Sequence, residues 1–153
     1  MAIKLDLSKA FDRMEWSFII HVFRLLGFSD DFCDLIYMCI STVTYSVLVN
    51  GSPGDSFTPS RGIRQGDPLS PTIFILCMEA LSKLLLHAEQ QKLVTGVKVL
   101  TGSTSVSHLF FADDAFLFTN ATIVQARNLL DILNMFSLTS GQTVNYQKSG
   151  VYF

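Results

Sequence analysis

Apolar and polar positions alternate along the first eight residues: Ile3, Leu5 and Leu7 against Lys4, Asp6 and Ser8. A period of two predicts a strand over 2–8 with Asp6 on its polar face. Residues 15–26 are mostly apolar and predict a helix stopped by Gly27. Ser29 suits the N-cap of a second helix over 30–42, with Asp30 and Asp31 in its positive first turn. Alternation returns over 44–50, a strand that enters a turn at Asn50-Gly51 and pairs with a return strand over 55–61. All four prolines and four of the nine glycines fall within 51–71, which predicts a structured loop. With Ser70 as N-cap and Pro71 as its first residue, a long helix then runs to about 90. Two apolar runs, 106–112 and 115–119, flank the pair Asp113-Asp114 as strands. Ala126, Leu129, Leu130, Leu133 and Phe136 form a one-faced stripe, so 122–138 reads as a helix ended near Gly141. Short strands at 143–146 and 150–153 complete the pattern.

The predicted order β-α-α-β-β-α-β-β-α-β-β points to the α+β class, with helices packed on one face of a mainly antiparallel sheet. The opposite face would carry Asp6 and the Asp113-Asp114 turn. At 153 residues the chain fits a single domain, and it shows neither an internal repeat nor a low-complexity segment.

Composition narrows the picture. Hydrophobic residues make up 49% and charged residues 16%, which excludes intrinsic disorder. Thirteen Phe imply an aromatic core and some apolar surface meant for a neighbour. A net charge of −2 argues against a binder that grips nucleic acid through a broad basic surface. Cys33, Cys39 and Cys77 form no C-x-x-C pair and lie in apolar runs, as small reduced core residues of an intracellular protein, nuclear or cytoplasmic. The three histidines make no zinc spacing with them. No signal peptide is expected. The longest uncharged stretch, Leu35 to Gly54, is broken by Ser, Thr and the Asn50-Gly51 turn, so no membrane span is expected.

The chemistry concentrates at Asp113-Asp114. Two-residue hairpin turns favour Asn-Gly or Asp-Gly, and Asp-Asp is a poor substitute. It also sets two like charges side by side, which is unfavourable unless a cation neutralises them. A local rule broken in this way marks a functional site. With Asp6 as a third acid at a strand end, the set offers hard oxygen ligands for Mg²⁺. Two such ions about 4 Å apart assist phosphoryl transfer. These three acids also mask a mildly basic remainder, since removing them takes the net charge from −2 to +1.

Four segments resemble the catalytic blocks of reverse transcriptases, in order. Lys4-Leu5-Asp6-Leu7-Ser8-Lys9-Ala10-Phe11-Asp12 is similar to the first, and Arg61-Gly62-Ile63-Arg64-Gln65-Gly66-Asp67-Pro68-Leu69-Ser70-Pro71 to the second. Phe111-Ala112-Asp113-Asp114 is similar to the third, and Gly141-Gln142-Thr143-Val144-Asn145-Tyr146-Gln147-Lys148-Ser149 to the fourth. The wording resembles non-LTR (LINE-type) retrotransposon enzymes, especially those of plants.

The resemblance implies an RNA-directed DNA polymerase palm. A primer 3′-hydroxyl would attack the α-phosphorus of a dNTP on an RNA template, with two Mg²⁺ ions or Mn²⁺ in their place. By resemblance, Asp6 and Asp113 would ligate both metals, Asp114 would be a less direct ligand, and Leu7 would offer its backbone carbonyl. Phe11 would be the steric gate beneath the deoxyribose. Gln65 and Gly66 would line the nucleotide and template pocket, Arg61 and Arg64 would contact template phosphates, and Lys148 would act as general acid near the leaving pyrophosphate.

The family's upstream fingers, its thumb and the LINE-type endonuclease do not match any part of the chain. Residues 1–153 are therefore expected to be one partial reverse transcriptase domain: a palm with part of the fingers, roughly 28–60 and the loop to 71. Its partners would include those remaining polymerase segments, besides RNA template, DNA primer and dNTP. A catalytically inactive retrotransposon remnant or a binding module is the competing expectation. An intron maturase or a telomerase-like enzyme shares the same blocks.

Overall fold

A computed structural model describes residues 1–98, 100 and 102–153. The main sheet has four strands in the order β4-β5-β1-β6, all neighbours antiparallel. They are β1 (Ala2–Asp6), β4 (His108–Phe111), β5 (Asp114–Phe118) and β6 (Gly150–Tyr152). A separate hairpin pairs β2 (Tyr45–Val49) with β3 (Ser52–Phe57). The helices are α1 (Ala10–Arg13), α2 (Trp16–Leu25), α3 (Asp30–Ser41), α4 (Ser70–Gln90) and α5 (Ile123–Ser140). This is the α+β arrangement expected.

The period-two pattern of β1 decides which way the sheet faces. Leu5 and Leu7 are buried, as are Ala115 and Leu117 on β5, and all four join the core with Ile19 and Phe23 of α2, Phe74, Cys77 and Leu81 of α4, and Leu133 and Phe136 of α5. The helices thus cover one face, and the alternate residues Lys4, Asp6, Asp114 and Phe116 lie on the other. Leu117 is fully buried, so cutting it to Ala would cost about 2–5 kcal/mol. Helix α4 is long and apolar enough to cross a membrane by length and composition alone. Its buried positions from Ile73 to Leu85 belong to this core.

Several local expectations shift. Leu69 rather than Ser70 precedes α4 as its N-cap, and Ser70 is a buried first-turn residue. Asp67 does the capping work, because its carboxylate accepts the Leu69 N–H at 2.8 Å and its carbonyl accepts the Ser70 N–H. The return strand comes earlier than 55–61, directly after the Asn50-Gly51 turn, as β3. Residues 143–146 form a single bridge, Leu7 to Val144, and not a strand. β4 begins at His108, since Val106 bridges Val97 instead. The short α1 was not anticipated; it starts from Lys9 in the left-handed region. Cys33 and Cys77 are buried as expected, but Cys39 is exposed on α3. Burial pushes the Cys77 thiol up to about 12, so it stays protonated.

Candidate active site

Two of the three acids meet across the β1–β5 ladder. Met1 and Thr119 exchange both backbone hydrogen bonds. Counting along the unbroken register, Asp6 and Asp114 form a non-hydrogen-bonded pair. Side chains of such pairs stand closer than those of hydrogen-bonded pairs, with Cα atoms about 4.5 Å apart. Both carboxylates therefore start from adjacent points on the helix-free face.

The third acid sits in the β4–β5 turn. That turn is centred on Ala112-Asp113 and not on Asp113-Asp114, because Phe111 and Asp114 are the last paired residues. Ala112 carries the positive φ, 52°, that a tight hairpin demands. A non-glycine residue there is strained by about 1–2 kcal/mol. The rule broken at this turn is thus broken by alanine as well as by charge.

Asp113 faces an open cleft of about 550 Å³ lined by Phe11, Gln65, Gly66, Asp67, Pro68 and Pro71. The cleft walls come together through α1. Phe11 stacks on buried Phe74 of α4, with centroids 5.0 Å apart and planes 15° from parallel. The loop before Gln65 is tied to the same short helix. Ile63 N–H donates to the Phe11 carbonyl at 2.9 Å, Gly62 N–H to the Met14 carbonyl at 2.8 Å, and the Trp16 indole to the Gly62 carbonyl at 2.7 Å. Gly62 and Gly66 both need their glycines, at φ 87° and 85°. From beneath, fully buried Gln142 donates to the Ala10 carbonyl at 2.7 Å and fixes the start of α1.

The other expected residues divide. The Leu7 carbonyl is left out of the Leu7–Val144 bridge, whose bonds run from Ser8 N–H to the Thr143 carbonyl and from Asn145 N–H to the Asp6 carbonyl. Arg61 is engaged by Glu15 at 3.1 Å, beside the Trp16–Gly62 contact. Arg64 lies with Gln65, Asp12 and Tyr45 around a neighbouring pocket. Lys148 lies in the exposed turn before β6. The next residue, Ser149, accepts the Asp6 N–H at 3.1 Å and donates to the Asn145 carbonyl at 2.8 Å.

Three residues were missed by sequence reasoning. Ser149 ties the fourth block to Asp6, and only the fold reveals it. Asp67 shapes the cleft and caps α4, a use that the turn-rich loop did hint at. Lys4 is the third: it shares the face of Asp6, as period two required, and its ammonium lies 3.2 Å from the Asp114 carboxylate. Among the described residues no three His, Cys, Asp or Glu side chains stand close enough together to hold a metal ion. The acids are gathered at one edge without being drawn together, and Asp114 is turned to Lys4.

A family model described as reverse transcriptase (RNA-dependent DNA polymerase) matches residues 1–153. This chain belongs to the reverse transcriptase family. Its relatives include an uncharacterized mitochondrial protein of Arabidopsis thaliana, 42% identical over 69% of the chain and 86% of that protein. The retrovirus-related Pol polyprotein from the type-1 retrotransposable element R2 of Popillia japonica is 30% identical over 95% of the chain. The reverse transcriptase chain spans just 23% of that polyprotein's length. Among solved structures, Candida albicans telomerase superposes with a TM-score of 0.70 at 15% identity, over 99% of this chain and 27% of the telomerase chain. At that identity the likeness concerns the fold, and it places this reverse transcriptase chain on a polymerase palm.

Proposed function

We propose that this chain carries the nucleotidyl-transfer centre of an RNA-directed DNA polymerase, extending a primer 3′-hydroxyl with dNTPs along an RNA template. The observation that carries the reading is the cross-strand pair Asp6–Asp114, on the open face of the sheet, with Asp113 in the adjoining turn and facing the Phe11–Gln65–Gly66 cleft. The donor set fits divalent cations: hard carboxylate oxygens and an unbridged Leu7 carbonyl, few enough to leave room for waters. Asp6, Asp113, Asp114 and Leu7 would hold two Mg²⁺ ions, with Mn²⁺ as a substitute. When bound, the ions lower the barrier by neutralising charge on the transferring phosphate.

The chain's own residues supply position. Phe11, braced by its stack on Phe74, would form the floor beneath the sugar and act as the gate against a 2′-hydroxyl. Gln65 and Gly66, on the wall of the same cleft, would line the base and template side. Arg64 is the template-phosphate contact favoured by this geometry, since Glu15 already engages Arg61. Lys148 would deliver a proton to the leaving pyrophosphate, on a turn registered to Asp6 through Ser149. The nucleic-acid partners are an RNA template and a DNA primer, and the rest of a longer polymerase would provide fingers and thumb. Nothing in this reading calls for a membrane.

Calorimetry with Mn²⁺ tests it. The wild-type chain is expected to bind weakly and Asp113→Asn to lose most of that binding. Primer extension on an RNA template should be weak and abolished in Asp114→Ala. Metal binding identical in wild type and Asp113→Asn would defeat the proposal in favour of an inactive remnant or binding module.

A further inference from the structure

We infer that Lys4 is a built-in counter-ion of the acid site: it holds Asp114 away from the metal position, and an incoming divalent cation must displace it. The inference rests on the proposed function and adds a positioning residue that acts through Asp114.

Geometry leads to it in three steps. First, Asp6 and Asp114 are directly opposed, and like charges opposite one another on a sheet are unfavourable. Second, Lys4 is two residues from Asp6 on the same face and pairs with Phe116, so Asp114 is its diagonal neighbour across the ladder. Diagonal neighbours lie within reach of long side chains, and the Lys4 ammonium sits 3.2 Å from Asp114 Oδ1. Third, the three acids share one edge, yet among the described residues no three-acid cluster is closed. The residue that occupies Asp114 is the lysine.

The pair has side chains 39% and 46% exposed, so it adds little to stability. Its consequence is competition for the carboxylate. Lysine suits that role, because its ammonium is a compact point charge on a flexible four-carbon stem. The Phe116 ring gives the displaced ammonium a resting place: the nitrogen already lies 5.9 Å from the ring centroid, within cation–π range. A cation with higher charge and more ligands would take Asp114, and Lys4 would move over the ring.

The test is Mn²⁺ titration by calorimetry at fixed ionic strength, using wild type, Lys4→Gln, Lys4→Arg, Asp6→Asn, Asp114→Asn and the Lys4→Gln/Asp114→Asn double variant. Lys4→Met, which keeps the apolar stem against Phe116, replaces Lys4→Gln if circular dichroism shows the latter misfolded. Removing the lysine charge is expected to tighten Mn²⁺ binding at least threefold, while Lys4→Arg stays within twofold of wild type. In the Asp114→Asn background the same removal should change affinity less than twofold. Equal or weaker Mn²⁺ binding in Lys4→Gln would overturn the inference, as would an undiminished effect without Asp114. The proposed function fails separately, through a wild type whose binding is unchanged in Asp6→Asn.

Discussion

Asp6 and Asp114 face each other across β1 and β5 as a non-hydrogen-bonded pair, with Lys4 bound to one of them and not to the other. An uncompensated carboxylate opposite another is a standing cost to the folded state, of about 0.2–1 kcal/mol. Asp6→Asn is therefore expected to raise stability by that amount in chelator at low salt. The gain should shrink at about 0.5 M salt, where the Debye length is only a few ångströms. Urea unfolding at the two salt concentrations measures it. A loss of stability comparable to a core truncation would show that Asp6 is structural and not held ready for a cation.

Ala112 sits at φ 52° in the turn that presents Asp113. Glycine adopts this region freely, whereas alanine is strained there. Ala112→Gly should stabilise the chain by about 0.5–1 kcal/mol, less than the full strain because the unfolded chain also gains freedom. Ala112→Val, β-branched at the same position, should destabilise it by more than about 1 kcal/mol. Denaturant midpoints with unchanged slopes would report both. An Ala112→Gly variant less stable than wild type would mean that the hairpin carries no strain.

Gly62 shows how the cleft is fastened. A Cβ at that position would stand 2.7 Å from the Asp12 carbonyl oxygen, on a backbone at φ 87°. Gly66, at φ 85°, has open space around it. Both alanine variants carry backbone strain of about 1–3 kcal/mol, but only Gly62→Ala also forces the loop off α1. The chain has a single tryptophan, Trp16, whose indole donates to the Gly62 carbonyl. Its emission should shift to the red in Gly62→Ala and stay in place in Gly66→Ala. Matching spectra for the two variants would refute the fastening.

Much of this was readable from residue order. Alternation at Ile3, Leu5 and Leu7 sets the buried face of β1 and hence the side on which Asp6 emerges. The helices α2, α3 and α5 follow from apolar stripes, from the Ser29 cap and from the stop at Gly141, whereas the Thr122 cap of α5 emerges only in the fold. What escaped is tertiary. The α4 start moved because Asp67 takes the Leu69 N–H on its carboxylate and the Ser70 N–H on its carbonyl, which draws Ser70 into the first turn of the helix. The 143–146 segment looks like a strand, but Asn145 is drawn into a turn whose bonds go to Asp6 and Ser149. The turn at the acid pair slipped by one residue, since pairing Phe111 with Asp114 leaves Ala112 to take the positive φ. No propensity announces that the Lys4 ammonium will choose Asp114 over Asp6. That choice depends on the register of two strands more than 100 residues apart in sequence.

His108 joins the sheet to the helical layer and makes the fold sensitive to acid. Its Nε2 lies 2.9 Å from Ser82 Oγ of α4 and its Nδ1 lies 3.1 Å from Ser107 Oγ. Burial holds its pKa below the ordinary 6.5, against the opposing pull of the Glu79 and Glu89 carboxylates. A depressed histidine pKa means that the unfolded chain binds a proton before the folded chain does. Stability from this group is therefore complete above about pH 7.5 and is lost as pH falls through 6.5 toward the lower folded value. His108→Gln removes the titration and retains hydrogen-bonding capacity toward the two serines. Urea midpoints at about pH 7.5, 6.5 and 5.5 should fall more steeply for wild type than for His108→Gln, by the contribution of this one linked proton. Parallel profiles would place the acid sensitivity elsewhere, and a steeper fall in the variant would reverse the sign of the linkage.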